Sequence, residues 1–343
     1  MMTPLRTLVA TLAALAVLGG LGGAATVAFG LFDTSARNGH WAVTDWAMHT
    51  TFERRVARLA PPDRAVPDDL DDPALIELGA RHYDSACAMC HATPGADAGA
   101  TIAAMVPHPP QLETAVAPWT EAEMHWIVAE GVKMTGMPAW PAAGRGDEVW
   151  AVVAFLRAVQ QGMDGAEYAR ITAPAPEGYC AGCHGPAGTE RAPRLDILQP
   201  GYIAEALAAY REGRRPSGIM AHAATKADPA RDAALARDLA RLPGPPAQPV
   251  RAQTEAGAAL AARGSRAVPA CLSCHGAQDN PMMPSIDGQG RAYIAAQLRL
   301  WRDGARGGAE RAPLMAAAAR DLDDGEIAAL AAYFAARPAP DAR

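Results

Sequence analysis

Three copies of one pattern, C-x-x-C-H, use every cysteine of this 343-residue chain: Cys87, Cys90 and His91, then Cys180, Cys183 and His184, then Cys271, Cys274 and His275. Six cysteines and nine histidines scattered at random would give roughly 0.003 such matches. The copies begin 93 and 91 residues apart. Near-equal intervals of domain length are what tandem units of one type produce. The same distances argue against a structural zinc ion, which needs two pairs converging on one metal. A disulfide framework is the other alternative, and three copies of C-x-x-C-H with no cysteine left over argue against it.

C-x-x-C-H is the attachment signature of a c-type haem, in which two thiols form thioethers with the haem vinyls and the adjacent histidine ligates the iron. Three covalently bound haem c groups are therefore expected, one per unit, held by the six cysteines with His91, His184 and His275 as iron ligands. A buried macrocycle also supplies apolar contact area that a unit of this size otherwise lacks, so folding and haem attachment are expected to be coupled.

Composition narrows the partners. The formal net charge is -6 and the basic residues are scattered, so no stripe suits nucleic acid. Aromatic residues make up only 6%, and 32 glycines with 29 prolines favour short helices joined by many turns. No charged residue occurs from Thr7 to Phe32, and that length of helix exceeds the roughly 30 Å of a bilayer core. A cleaved signal peptide has a shorter apolar region, of about 7 to 15 residues, so the stretch reads as a membrane anchor. Covalent haem attachment places the rest of the chain on the periplasmic side of a bacterial inner membrane. Residues 33–72 form an amphipathic juxtamembrane segment, with Trp41 and Trp46 suited to the interface.

Around the three motifs the chain resembles class I cytochrome c domains: a short helix, C-x-x-C-H, a proline-bearing loop, a middle helix, a methionine loop and a closing helix. In the first domain, DPALIELGARHY leads into CAMCH, GVKMTGMPAW follows, and DEVWAVVAFLRAVQ closes. The resemblance assigns Met137 as the distal ligand, with Met134 and Met105 as rivals; Met105, in the proline-rich MVPHPPQL, is assigned to packing. In the third domain, Pro284, Gly288, Gln289, Tyr293, Ile294, Gln297 and Leu298 match the dihaem cytochromes of the c-four group. That resemblance implies that the Pro284 carbonyl orients His275 and that Met315 is the distal ligand, while Met282 and Met283 pack on the haem. In the second domain, Tyr202 and Ile203 repeat the same helix and Met220 takes the ligand position, with His222 as its rival. TAPAPEGY before CAGCH cannot be helical, so the leading helix is missing or displaced into residues 165–171.

The expected fold is thus all-α: three tandem class I cytochrome c domains, 73–165, 166–245 and 246–343, behind a 1–32 transmembrane anchor and the 33–72 linker. A histidine and methionine pair leaves the iron no open position and raises its potential, so such a domain relays electrons and is not itself an enzyme. The resemblance implies the cytochrome subunit of a periplasmic dehydrogenase complex. Its redox partners would be drawn from a dehydrogenase, a quinol-oxidising complex, a terminal oxidase and a soluble carrier. A tethered shuttle acting alone and, through the second domain, a haem peroxidase are the alternatives.

Overall fold

The computed structural model describes residues 4–186, 190–245, 255–276, 283–308 and 310–340, and among them the regular elements are all helical. Alanine supplies the helix former, while glycine and proline cut the helices short. The amino-terminal helix Pro4–Ala28 has no buried residue and is long and apolar enough to cross a membrane. The next helix, Ala42–Leu59, docks by its second half, where Val56 is buried and Phe52 meets Trp119 edge-on at 5.8 Å between centroids. Its first half leaves Trp41, Val43 and Trp46 exposed.

The first unit is built on a crossing of two helices, Pro73–Ala86 and Gly146–Gln160. Asp72 caps the former by accepting from Ala74 N at 2.9 Å, and Pro73 fits its first turn, where no N–H is needed. The helices meet at Gly79, where an added Cβ would lie 1.8 Å from the Ala151 carbonyl oxygen. That absence of a side chain lets Val149, Val152, Val153 and Phe155 close over Tyr83, Leu75 and Leu112. Each large side chain fully buried there contributes roughly 1.5–3 kcal/mol. The middle helix Glu121–Glu130 starts with a capping box between Thr120 and Glu123.

No helix leads into the second motif directly. The helix expected near 165–171 is present as Gly165–Ile171, but its Tyr168 is buried in the first core and donates to Asp84 at 2.8 Å. The second core instead gathers Leu195, Ile197, Ile203, Leu207, Ala236 and Leu239 from the Leu-rich loop and the helices Pro200–Arg211 and Asp232–Leu239. The third unit recovers the full pattern. Glu255–Arg263 and Arg291–Arg302 both pack on the closing helix Asp324–Ala336 around Ile327, Leu330 and Phe334. Met282, assigned above to haem packing, lies outside the described residues, as do Thr254 and residues 246–250.

Candidate functional site

Each motif forms one helical turn, Ala88–His91, Ala181–His184 and Leu272–His275, with its first cysteine at the N-cap. Spacings of three and four residues place both cysteines and the histidine on one face of a turn. In each turn the histidine N–H donates back to the first cysteine carbonyl, at 3.1, 3.0 and 3.0 Å. No disulfide joins any of the six cysteines, and burial pushes the Cys87 and Cys183 thiols up to about 11.

The second repeated relationship lies at the histidine rings. His91 Nδ1 is 2.9 Å from the Pro110 carbonyl oxygen, His184 Nδ1 is 2.8 Å from that of Pro193, and His275 Nδ1 is 3.0 Å from that of Pro284. A carbonyl can only accept, so each Nδ1 carries the proton and each Nε2 presents its lone pair, as an iron ligand must. Burial holds the His184 and His275 rings below the usual histidine range and therefore neutral. Pro284 was legible from the motif around it, and Pro110 stands in the proline-rich MVPHPPQL noted above; Pro193, in RAPRL, was not singled out.

The residue after each histidine differs in an informative way. At Gly185 and Gly276 an added Cβ would sit 2.6 and 2.5 Å from the carbonyl of the preceding turn. The first motif carries alanine there, and Ala92 takes φ 60° instead, its carbonyl accepting from the Tyr83 hydroxyl at 2.6 Å.

The methionines separate by surroundings. Met134 is 83% exposed at φ 67°, turned away from the core. Met137 is half-buried in a loop pinned by Val132 N donating to the Met137 carbonyl at 3.1 Å and Trp140 N donating to that of Ala129 at 2.9 Å. Met105 reaches this same loop, its methyl 3.1 Å from where a Cβ on Gly136 would stand. Met315, on the helix Ala312–Ala319, packs on the third core beside Cys271, and Met283 shares a crevice with His275.

The second unit shows the assembled arrangement. Cys180, Cys183, His184 and Met220 line one cavity of about 530 Å³. His222 lies outside that lining, its Nε2 3.2 Å from the Ser85 carbonyl of the first unit. Two arginines, the buried Arg215 and the half-buried Arg306, border the cavity with Tyr202, Tyr210 and Tyr293. Among the described residues no carboxylate lies within ion-pair reach of either guanidinium. Burial, with Arg215 beside it, pushes the Arg306 guanidinium down. Two cations without a carboxylate partner, bordering a mostly apolar cavity, call for an anion there, and a haem supplies both the apolar macrocycle and the carboxylates. The donor set and the cavity therefore fit haem c.

Residues that sequence reasoning missed also border the cavity. Glu148 and Arg145 reach it from the first unit and Arg306 from the third, beside Tyr293, which the motif match had already named. An acidic residue in a first helical turn and an arginine next to glycine read as ordinary solvated charges, so only burial distinguishes them.

Family models agree with this picture in two of the three units. The model described as cytochrome c oxidase, cbb3-type, subunit III matches residues 74–156, and the cytochrome c model matches residues 256–336. A thiosulfate dehydrogenase electron acceptor of Thiomonas intermedia is 34% identical over 178 residues, 48% of this chain and 82% of that protein. Another of that description, from Stutzerimonas stutzeri, is 34% identical over 210 residues, 57% of this chain and 94% of that protein. Among solved structures, thiosulfate dehydrogenase of Marichromatium purpuratum is 38% identical over 46% of this chain and 36% of its own, with a TM-score of 0.42. With one such acceptor matched over nearly its whole length, the chain belongs to the c-type cytochrome family of the thiosulfate dehydrogenase electron acceptors.

Proposed function

We propose that the chain is a membrane-anchored, three-haem electron relay that accepts electrons from a periplasmic dehydrogenase, with a thiosulfate dehydrogenase as the first candidate. One observation supports the count above all: the three histidines repeat the same Nδ1 to proline-carbonyl bond, at 2.8 to 3.0 Å, although the proline lies 19 residues on in the first unit and 9 in the other two, in loops of different sequence. In this reading the six motif cysteines form the thioethers, and His91 with Met137, His184 with Met220, and His275 with Met315 would hold the three irons. Each haem, when bound, supplies one reversible electron.

The protein's part is to hold and shield. The proline carbonyls fix the imidazole planes and keep the proton on Nδ1. The apolar linings exclude water, which with a thioether ligand favours the reduced state. A histidine and a methionine to hold each iron would leave no ligand position for a substrate, which supports electron transfer over the peroxidase alternative. The exposed helix Pro4–Ala28 and the exposed Trp41 and Trp46 support a single-pass anchor with the haem units in the periplasm.

The identity of the donor comes from the relatives' description, and the match of residues 74–156 to an oxidase-subunit model supports a terminal oxidase as acceptor. The test has two parts. Haem content per polypeptide should be three, falling by one with each of C87A/C90A, C180A/C183A and C271A/C274A. The purified chain should then be reduced by thiosulfate only when a thiosulfate dehydrogenase is added. A content of two, or no reduction with that enzyme, rejects the corresponding part.

A further inference from the structure

Glu148 belongs to the first unit, on the first turn of its closing helix, yet its side chain is spent on the second. The carboxylate is only 11% exposed. Its Oε1 accepts from the Ser217 hydroxyl at 2.5 Å and lies 2.8 Å from Arg145 Nη2. Its Oε2 accepts from Gly218 N at 2.6 Å, from Ile219 N at 3.3 Å and from Trp140 Nε1 at 3.3 Å. Ser217 Oγ in turn accepts from Met220 N at 3.0 Å. Glu148 thus grips the three residues immediately before Met220 and reaches the Met220 amide through one hydroxyl.

The neighbours enforce the same docking. The Arg145 side chain, itself buried, donates to the Pro216 carbonyl. The Trp140 indole nitrogen lies 2.2 Å from where a Cβ on Gly218 would be, so the indole occupies the space a side chain would need. Trp140 ends the loop that presents Met137. The two methionine-bearing segments, with Met137 and Met220 83 residues apart in the chain, therefore meet at one buried carboxylate through Trp140 and Ser217.

We propose that Glu148 is a positioning residue: from the first unit it fixes the segment that carries the distal methionine of the second, so that the two distal segments behave as one rigid part. The inference rests on the reading of Met220 as an iron ligand. The helix Gly218–Ala224 has seven residues, too few to hold its own place, so its position is set by what grips its start. A buried carboxylate is retained at a cost unless its acceptors are used, and here both oxygens are satisfied by groups of the segment they hold.

The test uses the full chain, with the methionine-to-iron charge-transfer band of the oxidised protein and the potential of each haem as readouts. M220A sets the scale and should remove one haem's share of the band. E148A should weaken that same share, lower one potential and open one reduced haem to carbon monoxide; S217A should do so to a smaller extent, and E148Q, which keeps an acceptor oxygen, should restore most of the band. Should E148A not fold, S217A carries the same comparison. Unchanged band and potentials in E148A and S217A, with the share lost in M220A, overturn the proposal. An intact band in M220A instead overturns the ligand reading beneath it.

Discussion

Arg194 and Gln289 hold each other by a reciprocal pair of hydrogen bonds: Arg194 N donates to Gln289 Oε1 at 3.0 Å, and Gln289 Nε2 donates to the Arg194 carbonyl at 2.9 Å. A side-chain amide thus pairs with a backbone amide across the boundary between the second and third units. Gln289 is 3% exposed, so water does not substitute for it. Q289A should leave a buried N–H and C=O unpaired and cost about 2–4 kcal/mol. Thermal unfolding of the holoprotein checks this; a loss under 1 kcal/mol would mean that the boundary relaxes to admit water.

How much of this was legible follows from range. The motif turns, the Asp72 cap and the Pro284 carbonyl are local, set by residues within a dozen positions, and sequence sufficed for them. The proline run before Cys180 correctly excluded a helix, but which core Tyr168 would join depended on Asp84, far away in the chain. Glu148 was illegible for the same reason. A carboxylate in a first helical turn is already accounted for by the helix dipole, so nothing local signals that it reaches another unit. Met105 read as a packing residue, and its contact with Gly136 shows that it packs on the distal loop.

Gly79 gives a sharper test of the first unit. An alanine there drives a Cβ into the Ala151 carbonyl at the helix crossing, and backbone cannot rotate away as a side chain can. G79A should cost about 3 kcal/mol or more and lower the yield of haem-loaded protein. Circular dichroism and haem content per chain measure both, and a wild-type melting curve would show that the crossing is looser than described.

His125 sets a pH dependence. Its Nε2–H donates to the Gly146 carbonyl at 2.8 Å, while its buried Nδ1 has no hydrogen-bond partner and its ring lies 4.1 Å from that of Trp150. Burial holds this histidine below its usual range, with the Gly146 bond opposing. The unfolded chain therefore takes up the proton first. Its contribution is complete above the unfolded value, about 6.5, and falls as pH drops below that, by at most about 1.4 kcal/mol per unit, until the folded group titrates as well. Denaturant unfolding from pH 7.5 to 5 should show this slope, and H125Q should be flatter by one proton.

Arg215 and Arg306 give the prediction that bears on the haem of the second unit. Both border the cavity of Cys180, Cys183, His184 and Met220 with no carboxylate in reach among the described residues. A buried cation disfavours the additional positive charge of an oxidised iron, so removing it should stabilise oxidation. R215Q keeps hydrogen-bond donors toward Tyr202 and loses the charge; it should lower one haem potential by tens of millivolts, where about 59 mV is a tenfold change for one electron. R215K keeps the charge and should stay near wild type. Spectroelectrochemical titration separates the components, and equal potentials in R215Q and wild type would place the neutralising anion of this cavity elsewhere.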